Sequence, residues 1–444
     1  MSYTAKNIVR KLNLRQKLMI VAAFMVLIRI GSMIRLPFVN AEYMKALLGD
    51  SNLGVLSILT GNSMSSMGIF ALSISPYISA SIIIQLLSVV FPTLEEMAKD
   101  GKTGQENYKK IIRYTGIGLA LLQAAGMAVG FGKNGLVTPY TPLTVIAATI
   151  TWTIGASILI AIGEFLDLFG IGSGISMLLF LNIVSTVPND VQSIYEMYVA
   201  GKPAGVACLA VIIGVGIAAA VLFICNVLTS AEKRITIITS KKVSAYSQAG
   251  NTSTMPIPFL TCSVMPVIFT SSILSIPLLL ARIFPSIQNG LAGKLVNACS
   301  QGNWFQPEYP LYSLGIIPYV SLTVFFAYFY LAIQYNPLEI ADNLKKSGSV
   351  IPGIRPGKST AEYIDKITKE TALAGNACLI ALIIGTTCIM NLCGIRNMAL
   401  GGTSAIIAVS VVNDMRQKIS AELVSKKVHG RISSIALGRR AANV

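Results

Sequence analysis

Ten long apolar runs, broken by short charged stretches, leave this chain little choice of solvent. They cover 18–36, 66–91, 115–132, 143–162, 174–193, 205–229, 257–281, 312–335, 372–393 and 397–414, and a helix needs roughly 20 apolar residues to cross a hydrocarbon core. Of the 444 residues, 53% are hydrophobic and 12% charged, where a soluble domain carries roughly 25% charged residues. Length alone would permit two or three soluble domains, but this patterning predicts one integral membrane domain. The net charge of +16 does not indicate nucleic acid, because the basic residues sit between apolar runs without interleaved aromatics. Their placement reads as topology.

Lys and Arg near segment ends are retained in the cytoplasm. With the N-terminus placed inside, the inner connections hold five in 1–17, five in 92–114, none in 163–173, four in 230–256, six in 336–371 and seven in 415–444. The outer set holds Lys45, Lys133, Lys202, Arg282, Lys294 and Arg396. That asymmetry puts both termini in the cytoplasm. The first run has basic residues before it but no A-x-A-like cleavage site after it, so a retained helix is expected rather than a signal peptide. Two blocks of five runs suggest an inverted repeat, since an odd number of crossings per half reverses the second half.

Chemistry is scarce in these runs. Ion-coupled transporters place ionisable groups near the midplane, yet between 66 and 414 none lies in the middle of an apolar run. Arg29 is the exception and is expected to snorkel toward the outer interface. Glu164 and Asp167 are expected to be solvated turn residues. Gly101-Lys102-Thr103 resembles the end of a phosphate loop, but the leading glycine would fall at Glu96. Gly170-Ile171-Gly172-Ser173-Gly174 opens an apolar helix and follows no soluble strand, so a tight turn and close helix packing are expected there. Cys208, Cys225, Cys262, Cys299, Cys378, Cys388 and Cys393 include no C-x-x-C pair and read as small buried hydrophobes. His429 has no ligand-spaced neighbours, so neither a metal nor a cofactor is expected. A small-solute transporter and an intramembrane enzyme are the competing classes. The empty midplanes weigh against the first, and the lack of a nucleophile–base pair against the second.

Two segments carry positive signals. Thr60-Gly61-Asn62-Ser63-Met64-Ser65-Ser66 leads into Pro76 within the second run, which predicts a short helix, a break and then the spanning helix. In the 336–371 connection, Asn336 to Lys346 can extend the eighth helix, with Asp342 supporting Lys345 or Lys346. Ile351-Pro352-Gly353-Ile354-Arg355-Pro356-Gly357 then holds one arginine between two proline/glycine turns, suggesting a docking contact.

At that connection the chain resembles the SecY family, whose pattern N-P-x-x-I-A-x-N-L-K-K-S-G-x-x-I-P-G-I-R-P-G is matched throughout 336–357. Residues 76–87, the turn from Gly170 to Ser176, and Gly401-Gly402-Thr403-Ser404 agree as well. Departures fall at Glu232-Lys233-Arg234-Ile235-Thr236-Ile237, where the family usually has R-R-I-P-V, at Ser173, where Asn is common, and at Ile34-Arg35-Leu36-Pro37, which lacks the usual I-P-x-P-G.

The resemblance implies an all-α integral membrane fold of ten transmembrane helices. They would form two pseudo-symmetric inverted five-helix halves, hinged between helices five and six and opening sideways between helices two and seven. The halves would be 18–193 and 194–414, the second with cytoplasmic loops 230–256 and 336–371, flanked by a cytoplasmic N-terminus at 1–17 and a basic tail at 415–444. It further implies a protein-conducting channel in the bacterial plasma membrane that passes preproteins and releases membrane segments laterally. An aliphatic pore ring would comprise Ile78, Ile82, Ile175, Leu179, Ile268 and Ile407. The i,i+4 spacing of 78 with 82 and of 175 with 179 puts each pair on one helical face. A plug at about 62–73 would include Ser63, Met64, Ser65, Ser66, Met67 and Gly68, its small residues packing reversibly without large anchors. SecE and SecG are the implied membrane partners. The ATPase SecA or a ribosome would dock on Lys233, Arg234, Lys241, Lys242 and Arg355, with signal peptides, preproteins and lipids as the other contacts. With no nucleotide motif, the energy would come from partners.

Overall fold

The computed structural model describes residues 14–44, 60–61, 63–132, 135–169, 172–198, 203–239, 252–260, 265–283, 290–300, 303–305, 310–392 and 401–441. The helices are α1 (Leu14–Met33), α2 (Ser63–Ser66), α3 (Ser75–Val90), α4 (Pro92–Lys99), α5 (Lys102–Gly130), α6 (Pro142–Asp167), α7 (Gly174–Tyr198) and α8 (Ala204–Ser230). Strands β1 (Glu232–Thr239) and β2 (Thr252–Pro258) follow, then α9 (Met265–Ile283), α10 (Gly290–Ala298), α11 (Ile316–Gln334) and α12 (Pro337–Lys346). The short β3 (Ser349–Val350), α13 (Lys358–Leu392) and α14 (Gly402–Ala441) complete the order.

Each of the ten apolar runs overlaps a helix for most of its length among the described residues. Among the described residues seven helices are long and apolar enough to cross a bilayer, and eight if the bent pair α3 and α4 counts as one. α9 offers a shorter apolar stretch, Met265–Leu278, and the tenth run occupies the start of α14. The 111° bend between α3 and α4 follows from sequence. Phe91 ends one helix and caps the next, with Pro92 in the first turn of the new helix, where its missing N–H costs nothing. α6 starts on a reciprocal cap in which Thr141 and Thr144 exchange side-chain and backbone hydrogen bonds.

The chain forms two compact units. One comprises residues 1–45, 60–185 and 410–444, the other 46–59 and 186–409. In the first, small residues let helices approach: a Cβ on Gly155 of α6 would lie 2.1 Å from Ile69 O, and one on Gly174 of α7 would lie 1.9 Å from Gly163 O. The second contact accounts for the glycine-rich turn as helix packing. In the second unit, a Cβ on Gly402 would lie 2.0 Å from Thr386 Oγ1, so the glycine pair opening α14 lets it seat against α13. The expectation of buried cysteines holds only in part among the described residues: Cys225 is buried, Cys299 and Cys388 are half-buried, and Cys208 and Cys378 are exposed.

The second unit also holds a sheet, ordered β2-β1-β3 and antiparallel throughout, which the search for apolar runs does not anticipate. Burial alternates along β1, with Ile235 and Ile237 inward and Arg234, Thr236 and Ile238 exposed, the period of a one-sided strand. Ile235 and Ile257 pack with Ile351, Ile364 and Ile367. α12 extends the line of α11, as expected, across a break at which Tyr335 ends one helix and the Asn336 side chain caps the next, accepting from Glu339 N at 3.4 Å. Asp342 pairs with neither Lys345 nor Lys346, so the expected support is missing.

Candidate functional site

The segment before Pro76 is a short helix, a break and then a spanning helix, as the sequence predicts. α2 is a single turn, the chain reverses through Met67 and Ser73 at positive φ (49° and 50°), and α3 begins at Ser75. The segment lies against α1. Gly68 bridges Arg35, Ile69 N donates to Ile34 O at 3.1 Å, and Ser66 Oγ donates to Ser32 O at 3.3 Å. A Cβ on Gly68 would lie 2.5 Å from Ser32 O, so only glycine fits this approach. Ser63, Met64, Met67 and Gly68 are buried, and Ser65 and Ser66 half-buried. The expectation of packing without large anchors needs correcting, because Met67 is wholly buried and Phe70 nearly so.

Arg29 also departs from expectation. Instead of snorkelling to an interface, its Nη1 donates to Gly61 O at 2.9 Å and reaches Ser32 Oγ at 3.5 Å. An arginine inside an apolar helix needs acceptors near at hand, and the entry to the α2 segment supplies one. The guanidinium lines a small cavity of about 10 Å³ together with Ser63, Ser73, Leu181, Asn182 and Ser185. Asn182 Nδ2 donates to Ser73 Oγ at 2.8 Å.

Ile78 and Ile82 are buried on α3, and on α7 Leu179 is buried and Ile175 half-buried. All four belong to the first unit. Ile175 Cγ1 would lie 3.4 Å from a Cβ on Gly163, so part of this side chain rests on α6. Ile268 on α9 and Ile407 on α14 are buried in the second unit. Near Ile268, Thr323 Oγ1 donates to Thr270 Oγ1 at 3.2 Å and joins α11 to α9.

Glu164 and Asp167 are not free turn residues. Arg113 Nη1 donates to Glu164 Oε2 at 2.9 Å, Lys109 Nζ lies 3.5 Å from Asp167 Oδ2, and Gly174 N donates to Asp167 Oδ1 at 2.6 Å. One carboxylate therefore ties the end of α6 to both α5 and α7. A sequence signal exists: Lys109 and Arg113 stand four apart and Glu164 and Asp167 three apart, so each pair shares a helical face.

On the sheet-bearing module Lys233 and Arg234 are exposed. Arg234 is already engaged, with Nη2 2.7 Å from Glu232 Oε1, an exposed pair of small energetic worth. Lys241 and Lys242 lie outside the described residues. Arg355 sits between Gly353 and Gly357, both left-handed (φ 80° and 110°), which only glycine adopts without strain. Ile354 leans on the module core, and Arg355 O accepts from Thr360 Oγ1 at 2.9 Å. The backbone is thus pinned on both sides while the guanidinium is exposed. Among the described residues it has no hydrogen bond or ion pair.

The family model for SecY matches residues 68–416. The chain is similar to the protein translocase subunit SecY of Rickettsia conorii, 34% identical over 423 residues that cover 93% of this chain and 94% of that one. Among solved structures it is similar to one described as showing that "the plug domain of the SecY protein" stabilises "the closed state of the translocation channel", with TM-score 0.63, 18% identity and 92% of each chain covered. Another is Sec61 in the canine ribosome–channel complex from the endoplasmic reticulum, with TM-score 0.59, 18% identity and 91% of each chain covered.

Proposed function

The chain belongs to the SecY family, and we propose that it is the central channel subunit of a bacterial Sec translocon. It conducts unfolded preproteins across the plasma membrane and releases membrane segments laterally into it. The family match, which runs from the segment before Pro76 to the start of the C-terminal helix, is the observation that carries this reading. The Lys and Arg asymmetry of the connections supports cytoplasmic termini.

Ile78, Ile82, Ile175, Leu179, Ile268 and Ile407 form the pore ring in this reading, on the strength of their motif positions. A collar of aliphatic side chains suits a polypeptide because it offers no fixed hydrogen-bond partner that would stall one sequence more than another, and it resists ions by staying dry. Residues 62–73 are the plug. Their seat against α1 and α7 and the positive-φ turns at both ends of the break suit an element that folds away from the helix it precedes. Energy comes from partners: SecA or a translating ribosome on the cytoplasmic face, with SecE and SecG as membrane partners. Arg355 is the docking residue best supported by geometry, since an exposed planar cation on an immobilised backbone loses little freedom on binding.

Mild-detergent purification of the tagged chain from its native membrane tests the assembly. Recovery of a short helical partner, and of an ATPase that elutes at high salt, is expected. Purification of the chain alone together with a small solute would support a transporter instead.

A further inference from the structure

Arg29 holds a backbone carbonyl, not an acid. Its Nη1 donates to Gly61 O at 2.9 Å, and among the described residues no carboxylate pairs with it. Gly61 presents that carbonyl from a tight seat. Its φ is +63°, and a Cβ there would lie 2.9 Å from Asn182 Cα, so the backbone is wedged between the guanidinium and α7. At the far end of the segment Asn182 Nδ2 holds Ser73 Oγ at 2.8 Å. Both ends are therefore fastened by polar contacts and the middle by buried Met67 and Phe70.

The kind of acceptor matters. A carboxylate would bind an intramembrane guanidinium through full charge pairing and be hard to displace, whereas a carbonyl forms one charge-assisted hydrogen bond. A bond of that class can be given up when the segment moves. The cation left behind would face Ser63, Ser73, Asn182 and Ser185 around the same small cavity of about 10 Å³, polar groups that can hold a water once the segment has moved aside. The arrangement has a firm resting position and a tolerable released one.

We infer that Arg29 is the latch of the plug: its hydrogen bond to the Gly61 carbonyl sets how firmly residues 61–73 stay seated and so sets the threshold for channel opening. The inference rests on the plug reading given above. Arg29 acts as a positioning residue, through the segment and not on the translocating chain.

The test uses the complete purified complex in sealed vesicles, with efflux of a trapped small anion measured in the absence of substrate. Arg29→Leu removes the donor while leaving α1 at least as apolar, so the helix still inserts. Resting efflux should rise about tenfold, the population shift that loss of one charge-assisted hydrogen bond typically gives, with Arg29→Lys in between. Gly61→Ala, which displaces the carbonyl without touching the arginine, should leak like Arg29→Leu. In a variant lacking residues 62–70, already leaky, Arg29→Leu should add nothing. If that deletion stays tight or fails to assemble, the plug reading falls and the latch with it. A leaky deletion beside a tight Arg29→Leu variant overturns the latch alone, as does Arg29→Leu adding leak on top of the deletion. Should Arg29→Leu not assemble, tight channels in both Arg29→Lys and Gly61→Ala overturn it equally.

Discussion

Replacing Ile82 or Ile407 by Asn puts an amide where the native side chains are 4% and 3% exposed. An unpartnered buried amide costs on the order of 1–3 kcal/mol, and in the proposed pore ring that cost falls on the packed arrangement. Export of precursors with defective signal sequences should therefore rise several-fold at equal channel abundance, read as the processed fraction in cells. Unchanged export in both variants would remove these residues from the waist. At Arg355 the expectation runs the other way. Arg355→Glu should impair export severely while the channel inserts normally, with Arg355→Lys intermediate, because a desolvated charge contact is worth about 2–5 kcal/mol. ATPase binding at two salt concentrations measures it, and wild-type affinity in the Glu variant would make the arginine an ordinary surface residue. The fixed turns around Arg355 were legible because glycine beside proline states a backbone conformation locally. The partner of Arg29 was not, because Gly61 lies 32 positions along the chain and a carbonyl has no signature in sequence. Glu164 and Asp167 are obscured for a different reason: their spacing is visible in the sequence, but their pairing with Arg113 and Lys109 on another helix is nonlocal.

Among the elements, the helices were legible and the sheet was not. Long apolar runs announce themselves, whereas β1 is a mere eight residues with two inward isoleucines, and its partner strand lies beyond a connection outside the described residues. Its pairing is nonlocal, and the small module that it completes is held by a core contributed from four places in the sequence. Ile364 and Ile367 belong to that core and to α13, which continues without a break through 35 residues into the ninth apolar run. At 1.5 Å per residue it is a rod of about 50 Å, and it joins the module rigidly to a membrane span. Ile257→Ala, at a fully buried position of β2, should cost about 2–5 kcal/mol of local stability. Limited proteolysis should then cut within 232–258 many times faster while the membrane helices stay protected. Cleavage at the wild-type rate would mean that the strands contribute little to holding the module together.

For the whole molecule, ten runs are expected and each overlaps a helix, and among the described residues seven or eight helices qualify as spans by length and composition. Among the described residues α9 offers the apolar stretch Met265–Leu278, and α14 carries a short apolar stretch ahead of a long charged one. What the sequence lacked was as informative as what it held, since midplanes empty of ionisable groups leave an ion-coupled mechanism little to work with. The central claim is that this chain forms a path for polypeptides, and protease protection tests it most directly. Vesicles containing the purified complex are given an unfolded radiolabelled preprotein, the cytoplasmic ATPase and ATP, and then an external protease. Full-length precursor should become protected only with ATPase and ATP, and protection should fall sharply in vesicles bearing Arg355→Glu. Precursor that stays fully digestible in sealed vesicles holding the intact complex, ATPase and ATP would contradict the account.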